Sequence, residues 1–348
     1  MKTMSYRVEI MRNKVDRNQV AHLAGVSSAT VSRVFNHPDK VSSEKREFVL
    51  SAAEKLHYKP NINASILARG INGKILLLDN NKLLKYDKLN SFYYSWLYVD
   101  LLNQIRDVLK DTVYELVISN LEDLRIYDSA SLREFDGIIC FDIDDIDDLT
   151  IVIDSGVPYV FGHHVRDIQL PNKIYTDNYY GGYLQARFLR DTGHKKVIYV
   201  TGLLNQLNSH KERYEGFCEL FNEGSHLLIE GKVGKDGGAE SVKSVLYQLK
   251  SKEFTAIAAV NDITAIGIYF ELLNMGLNIP EDVSIVGYDN LPFTNLLPKK
   301  LSTIDLKIGR MYKEASEHLL NVIIGRKSRL KNNFKPSLIR GQTVAKII

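Results

Sequence analysis

The sequence predicts a small all-α domain followed by a two-lobed α/β domain with parallel sheets. The chain has 348 residues, about twice the roughly 150 residues of an average domain. Its charge is uneven: residues 1–70 hold 12 Lys plus Arg against 6 Asp plus Glu, and residues 71–348 hold 33 against 36. The hydrophobic pattern also changes, from short helical segments near the start to alternating strands and helices afterwards.

Composition excludes several classes of protein. Hydrophobic residues make up 45% of the chain and charged residues 25%, which is ordinary for a globular protein and not for disordered, collagenous or coiled-coil chains. Two cysteines, Cys140 and Cys218, are too few for a disulfide framework. The first residues lack the apolar run of a signal peptide, and no run approaches the roughly 18 apolar residues that span a bilayer. We expect a soluble cytoplasmic protein that does not contact membranes.

Three short helices are predicted in the basic head. Asp16 is a candidate N-cap for a helix over residues 17–24, Gly25 suits the turn that follows, and Ser27 can cap a second helix over residues 28–36. A third helix opens at Ser42 or Ser43. The apolar residues predicted to point inward are Val20, Leu23, Ala24, Val31, Val34, Phe35, Val49, Ala52, Ala53 and Leu56.

Two short helices joined by a glycine-containing turn, with a third in support, indicate a helix-turn-helix. The outward face of the second helix is free of large apolar side chains that would hinder entry into a major groove. It carries Ser28, Ala29, Ser32, Arg33 and Asn36. Arg33 can read guanine O6 and N7 or bind a phosphate, and spacing does not choose between these roles. A basic head on an acidic body indicates a nucleic-acid-binding module or a solvated basic surface, and charge alone does not decide.

The body alternates strand and helix, which predicts parallel sheets with right-handed crossovers. Ligands are then expected at the carboxyl ends of the strands, in a cleft between two lobes. The predicted strands cover residues 75–78, 116–119, 137–141, 159–161, 197–200, 256–260 and 283–287. The helices between them include residues 91–110, 181–192, 209–221 and 261–275.

Residues 20–36, which read VAHLAGVSSATVSRVFN, resemble the DNA-binding domain of the LacI/GalR repressors, as do Val41-Ser-Ser and LHYKPN at residues 56–61. The resemblance implies that one set of side chains faces base edges and another holds the phosphate backbone, which together fix sequence and register. The base-facing set is Ser28, Ala29 and Arg33. The phosphate-holding set is Ser27, Thr30, Ser32 and Asn36.

The resemblance marks residues 61–70, NINASILARG, as a hinge helix. A segment below roughly 12–15 residues does not persist as an isolated helix, so we expect it to order on binding DNA. Its implied DNA contacts are Asn61, Ala64 and Leu67, with Leu67 wedged between base steps in the minor groove. The predicted domains are an extension over residues 1–15, the helix-turn-helix over 16–60, the hinge and linker over 61–73, and an effector-binding and dimerisation domain over 74–348.

The body resembles the same family's effector domain, which is similar to periplasmic sugar-binding proteins. Compared with that domain the segment between Asn120 and Gly137 is short, which implies a reduced helix there. The matching motifs are TDN at 176–178, GHKK at 193–196, RYEG at 213–216, VND at 260–262 and IPEDVSIVGYD at 279–289. The resemblance implies that Arg213 grips vicinal hydroxyls or a carboxylate and that Asn261 and Asp289 bond ligand hydroxyls. Helix capping or a salt bridge is the alternative for these three.

Further effector candidates are weaker. Phe92 and Tyr93 match a first-lobe loop that offers an aromatic wall, with lobe core as the alternative. His163 and Asp177 are also candidates. The pair His163–His164 lacks a third metal ligand, and the acidic residues 142–148 lack the glycine and glutamate of a calcium loop. We expect no metal and no cofactor.

The function expected from this resemblance is a sequence-specific transcriptional repressor. It would bind a pseudo-palindromic double-stranded operator as a homodimer, and a small effector, most simply a carbohydrate, would control its affinity. Regulation by a corepressor or by a phosphocarrier protein is an alternative within the same family. A sugar-transport protein and an enzyme fused to a helix-turn-helix are alternatives outside it. No Walker loop, dinucleotide fingerprint or nucleophile elbow supports an enzyme.

Overall fold

The computed structural model describes residues 15–36, 40–56, 58, 70–79, 88–120, 129–141, 143, 146–162, 170–206 and 208–347. The chain divides into two compact units, residues 1–72 and residues 73–348. The predicted fold class, a helical head before an α/β body with parallel sheets, is confirmed. The finer domain boundaries remain predictions.

Three helices build the head: α1 (Arg17–Leu23), α2 (Ser28–Asn36) and α3 (Ser43–Lys55). Each sends a fully buried valine into a common core. The buried apolar residues of this core are Val20, Ala21, Val31, Val34, Val49, Ala52 and Ala53. The ring of Tyr58 packs against the ring of Phe35, with centroids 5.9 Å apart. This contact adds to the stability of a small core.

Local signals in the head fold as predicted, with one exception. The Asp16 carboxylate accepts from the backbone N–H of Gln19, whose side chain accepts from the N–H of Asp16, completing a capping box. Gly25 adopts a φ of +65°, and the N–H of Val26 bonds the carbonyl of Ala21 behind it, a helix end that favours glycine. Leu23, predicted to point inward, is 50% exposed. That prediction was wrong because Ala21 takes the inward place on a helix of only two turns.

The first lobe is built on parallel strands. Among the described residues six strands form one sheet, in the order β11-β5-β4-β3-β1-β2. Ile75 of β1 pairs with Leu116 on one side and with Gly137 on the other. These strands are β1 (Lys74–Asp79), β2 (Glu115–Asn120), β3 (Gly137–Phe141), β4 (Tyr159–Gly162), β5 (Lys173–Thr176) and β11 (Asn333–Phe334). The lobe's helices are α4 (Lys88–Leu109), α5 (Ile146–Asp154) and α11 (Ile308–Ile323).

The second lobe repeats this plan with a smaller sheet. In the part of the chain that is described, four parallel strands follow the order β7-β6-β8-β9. They are β6 (Val197–Thr201), β7 (His226–Glu230), β8 (Ala256–Ala259) and β9 (Ser284–Val286). The helices are α6 (Asn178–Asp191), α7 (Asn208–Cys218), α8 (Gly234–Ser244), α9 (Leu246–Lys250) and α10 (Asp262–Asn274). A two-stranded antiparallel ribbon joins β10 (Thr303–Asp305) to β12 (Ser337–Ile339).

The seven strands predicted in the body are all present, with ends displaced by one residue at most positions. Between Asn120 and Gly137, where a reduced helix was expected, the described residues form a single 3-10 turn over Ser131–Glu134. No helix among the described residues is both long and apolar enough to cross a membrane.

Candidate functional sites

The outward face of α2 presents the predicted DNA-binding side chains. Ala29 and Arg33 are exposed, whereas Ser28, Thr30 and Ser32 are half-buried. An exposed guanidinium beside a methyl group on one helix face suits base-edge contacts in a major groove. The Asn36 side chain lies outside the described residues.

Hydroxyl groups at the start of α2 already have protein partners. The Ser27 hydroxyl accepts from the backbone N–H of Thr30 at 3.1 Å and lies 2.9 Å from the Thr30 hydroxyl. The Ser28 hydroxyl accepts from Nε of Arg17 at 2.7 Å. Each hydroxyl can make a further hydrogen bond to a phosphate. Its protein partners therefore fix its position and still allow contact with DNA. The hinge candidates Asn61, Ala64 and Leu67 lie outside the described residues.

Arg213 is the centre of the second candidate site, beside the carboxyl end of β8 in the second lobe. It lies on α7 and is buried. Its Nε donates to Oδ1 of Asn178 at 3.0 Å and its Nη1 donates to the carbonyl of Val260 at 2.7 Å. The guanidinium carbon lies 3.8 Å from the centroid of the Tyr288 ring, a cation–π arrangement.

Asp289 completes the charge pairing of Arg213. Its Oδ1 lies 3.5 Å from Nη1 of Arg213. Asp289 belongs to the short segment that follows the end of β9 at Val286. The backbone φ of Asp289 is +117°, and Asn290 follows at +59°, so two left-handed residues in succession turn the chain beside the site. Burial raises the pKa of the Asp289 carboxyl to about 7, although the Arg213 charge opposes that rise.

A second carboxylate, not identified from the sequence, lies behind Asp289. Asp262 is fully buried; it accepts from the Thr303 hydroxyl at 2.6 Å and from the N–H of Leu291 at 2.8 Å. Burial, with the nearby Asp289 charge, raises its pKa well above the ordinary aspartate value. These bonds tie the 289–291 turn to α10 and β10, so Asp262 holds the turn that places Asp289.

Two of the predicted ligand contacts act as helix caps. Asn261 accepts from the N–H of Thr264 at 2.8 Å at the start of α10, and Asp177 accepts from the N–H of Tyr180 at 3.0 Å at the start of α6. Their effector roles remain predictions. Phe92 and Tyr93 lie within helix α4 and not in a loop, because that helix begins at Lys88; their side chains, like His163, lie outside the described residues.

A cavity of about 540 Å³ opens beside Asp289, within the size range of small-molecule sites. Helix α4 forms one wall, and the 289–292 turn with the start of α11 forms the other. Residues that line it include Trp96, Asp100, Asp289, Asn290, Lys307 and Arg310. Trp96 is the chain's sole tryptophan, and sequence reasoning missed it because a helical aromatic gives no signal of which wall it faces.

Orphan polar atoms lie at the carboxyl end of β6. The Thr201 hydroxyl and Nδ1 of His210 are buried and have no hydrogen-bond partner among the described residues, and such atoms in proteins are usually satisfied by water or a ligand. Burial, with help from the Arg213 charge, lowers the pKa of His210 to about 3, so the imidazole is neutral. Among the described residues no group of three His, Cys, Asp or Glu could hold a metal ion.

Two family models match parts of this chain. The model described as bacterial regulatory proteins, lacI family, matches residues 18–61. The model of a periplasmic binding protein-like domain matches residues 186–344. The probable HTH-type transcriptional repressor ExuR of Bacillus subtilis is 25% identical over 312 residues, covering 87% of this chain and 90% of its own.

The chain thus joins a LacI-family helix-turn-helix domain to a periplasmic binding protein-like domain, and its homologues are LacI-family repressors. Solved LacI-family structures share its fold. The lac repressor dimer bound to operator and an anti-inducer covers 95% of this chain and 99% of its own, with a TM-score of 0.65 and 24% identity. A LacI-family regulator of Enterococcus faecalis with bound ribose covers 79% of this chain and 100% of its own, with a TM-score of 0.63 and 25% identity.

Proposed function

We propose that this LacI-family chain is a transcriptional repressor whose affinity for a pseudo-palindromic operator is controlled by a small carbohydrate bound between the two lobes. One observation carries the proposal: Arg213 is buried next to Asp289, a residue that lines the cavity, and Nη2 of its guanidinium makes no hydrogen bond with the described residues. A guanidinium has five N–H donors. Nε and Nη1 anchor the group, and the two N–H groups of Nη2 are left for a ligand.

The neighbouring groups favour a hydroxylated, uncharged ligand. The Arg213 charge already faces Asp289 at 3.5 Å, so a second anion would compete with that carboxylate. Vicinal hydroxyls can instead accept from Nη2 and donate to Asp289 without displacing either charge. Trp96 on the cavity wall supplies an apolar face for the C–H side of a sugar ring.

Two further observations support the proposal. The relative from Bacillus subtilis is named as a repressor, and the Enterococcus regulator holds ribose. The head offers Arg33 and Ala29 on the exposed face of α2. Because a repressor acts on DNA, we place its action in the cytoplasm, and we assign it a binding role and no catalytic one.

We propose that the working form is a homodimer, since a pseudo-palindromic operator presents two half-sites to two heads. Phe270 and Leu273 lie one turn apart on α10, and both are exposed. Exposed apolar side chains that are neighbours on a helix offer a face for a second copy of the chain.

The test has two arms. Random-site selection with the full chain should recover inverted half-sites, and recovery of asymmetric sequences alone would reject the dimeric reader. The protein is titrated with neutral sugars, sugar phosphates and purines, and Trp96 fluorescence is recorded. Neutral sugars should give a saturable change in that fluorescence. A response confined to purines or sugar phosphates would reject the carbohydrate. Adding each responding compound to the operator complex then shows whether it releases or strengthens DNA binding.

A further inference from the structure

The end of the chain carries a strongly basic segment that the net charge of the body conceals. Residues 318–348 contain seven Lys plus Arg and no Asp or Glu, whereas residues 71–317 contain 26 basic and 36 acidic residues. The basic residues are Arg326, Lys327, Arg329, Lys331, Lys335, Arg340 and Lys346. The body is therefore an acidic domain with a local basic surface, and its overall balance does not exclude contact with a polyanion.

Topology places the first four of these residues at one defined edge of the first lobe. Residues 324–332 connect the end of α11 to β11, and β11 runs parallel to β5. Strands β5, β4, β3 and β1 are parallel in turn, so the loop lies at the edge where every strand begins. Residue 73 enters β1 at that same edge. Four strand spacings separate β11 from β1, about 19 Å.

The cationic side chains of this basic loop, residues 326–331, make no ion pair with the described residues. Arg326, Lys327 and Arg329 are exposed, and none of the ion pairs among the described residues includes them. The Lys331 ammonium lies 4.8 Å from the Phe334 ring centroid and is also exposed. At the β1 end of the same edge, by contrast, Lys74 is paired with Glu134 at 3.2 Å. Free positive charge is thus concentrated at the β11 end.

Helix electrostatics explain only part of this concentration. The carboxyl end of a helix favours a cation within its last turn, and α11 ends at Ile323. Arg326 lies close enough to gain from that effect. Arg329 and Lys331 lie more than a turn beyond it, so the helix end does not account for them.

We propose that the basic loop contacts DNA phosphates that flank the site read by the head, and so adds a sequence-independent contribution to binding. The inference rests on the proposed function, because the head that would hold the DNA is joined to the body through residue 73, which enters β1 at this same edge. Side chains of Arg and Lys on phosphates fix no sequence, and their contribution weakens as salt displaces them.

The test compares the full-length wild type with the triple variant R326Q/K327Q/R329Q. Binding to random-sequence duplexes of 20 and 40 base pairs is followed by fluorescence anisotropy between 50 and 200 mM salt. Each lost phosphate contact lowers the slope of log K against log salt by about 0.9. On the longer duplex the triple variant should have a slope smaller by about 1 to 3 per protomer. On the shorter duplex, which lacks flanking DNA, its slope should match the wild type.

A matched control removes the same charge elsewhere. Lys195, Lys232 and Lys250 of the second lobe are exposed and belong to no ion pair among the described residues. The variant K195Q/K232Q/K250Q should follow the wild type on both duplexes. Because all six side chains are exposed, each variant should unfold at the wild-type temperature.

Two results would overturn the inference: equal salt slopes for the two triple variants on the longer duplex, or an equal loss on both duplexes. Binding of an acidic phosphocarrier protein that is lost in R326Q/K327Q/R329Q while the DNA slopes stay unchanged would assign the loop to that partner instead. Failure of the proposed DNA-binding role is distinguishable, since the wild type itself would then bind neither duplex.

Discussion

Asp289 and Arg213 face each other across 3.5 Å, and other groups of the protein hold each of them in place. Asn178 and the Val260 carbonyl anchor the guanidinium. A turn with two left-handed residues, tied down by Asp262, presents the carboxylate. Groups fixed before the ligand arrives lose little conformational entropy on binding, which favours affinity.

Replacing Arg213 should remove the response to effector. Arg213→Ala deletes both N–H groups that we propose bind the ligand, and truncation of a buried charged partner costs about 2–5 kcal/mol, so the ligand Kd should rise at least about 30-fold. Arg213→Lys keeps the charge but loses the fork and should bind weakly too. Affinity for a selected operator should stay near wild type.

The control for this prediction is Lys211→Ala on the same helix, where an exposed pair with Glu215 at 3.9 Å contributes little. Ligand titration of all three variants gives the comparison. Wild-type affinity in Arg213→Ala would remove this residue from the site.

Stability should depend on pH through Asp289. Its folded pKa of about 7 exceeds the unfolded value of about 3.9, so the folded chain holds an extra proton between these values. The free energy of unfolding contributed by this group therefore falls as pH rises from about 4 to 7. In Asp289→Asn that contribution is absent. Urea unfolding at pH 5, 6, 7 and 8 gives the free energy of unfolding of both proteins, and that of the variant should increase relative to the wild type as pH rises. A constant difference between the two proteins across this pH range would refute the raised pKa.

Close packing of α6 on α7 should be needed to place Arg213. A methyl group at Gly182 would collide with the carbonyl oxygen of Arg213, so Gly182→Ala must push the helices apart. Overpacking of this kind costs about 1–3 kcal/mol, and it should also weaken effector binding. Gly231→Ala is the control, because a methyl there meets nothing within 4 Å. Thermal unfolding and ligand titration check both effects, and equal behaviour of the two variants would contradict the packing argument.

Substitutions of Arg33 distinguish a base contact from a phosphate contact. If it reads a guanine bidentately, Arg33→Lys should lose about 1–3 kcal/mol of discrimination at one operator position while keeping the salt slope. If it binds only phosphate, Arg33→Lys should keep the sequence preference and Arg33→Ala should lower the slope by about 0.9. Binding to operators substituted one position at a time distinguishes the two, and unchanged discrimination would reject base reading.

Features of the head that depend on neighbouring residues in the chain could be predicted from the sequence. The capping box of Asp16, the turn at Gly25 and the helix over Ser28–Asn36 depend on residues within a few positions of each other. The prediction that Leu23 points inward was wrong because the inward face of α1 depends on how that helix packs against the other two. The strands β5 and β11 are four and two residues long, too short to give a periodic pattern.

The candidate site was predicted only in outline. Arg213 and Asp289 were chosen through a family resemblance, and the structure brings them together. Asn178, Asp262 and Tyr288 were missed as members of the cluster because their roles come from contacts made across the fold: Asn178 is 35 residues from Arg213, and Asp262 is 41 residues from Thr303. No pattern within one segment reveals such a contact.

The most direct test of the account measures linkage between the two sites. A sugar that changes Trp96 fluorescence is titrated into the free protein and into its complex with a selected operator, and the operator is titrated with and without that sugar. The account predicts that the sugar changes operator affinity, and that the operator changes sugar affinity by the same factor, since coupling between sites is reciprocal. Identical sugar affinity in the free and operator-bound protein would contradict it.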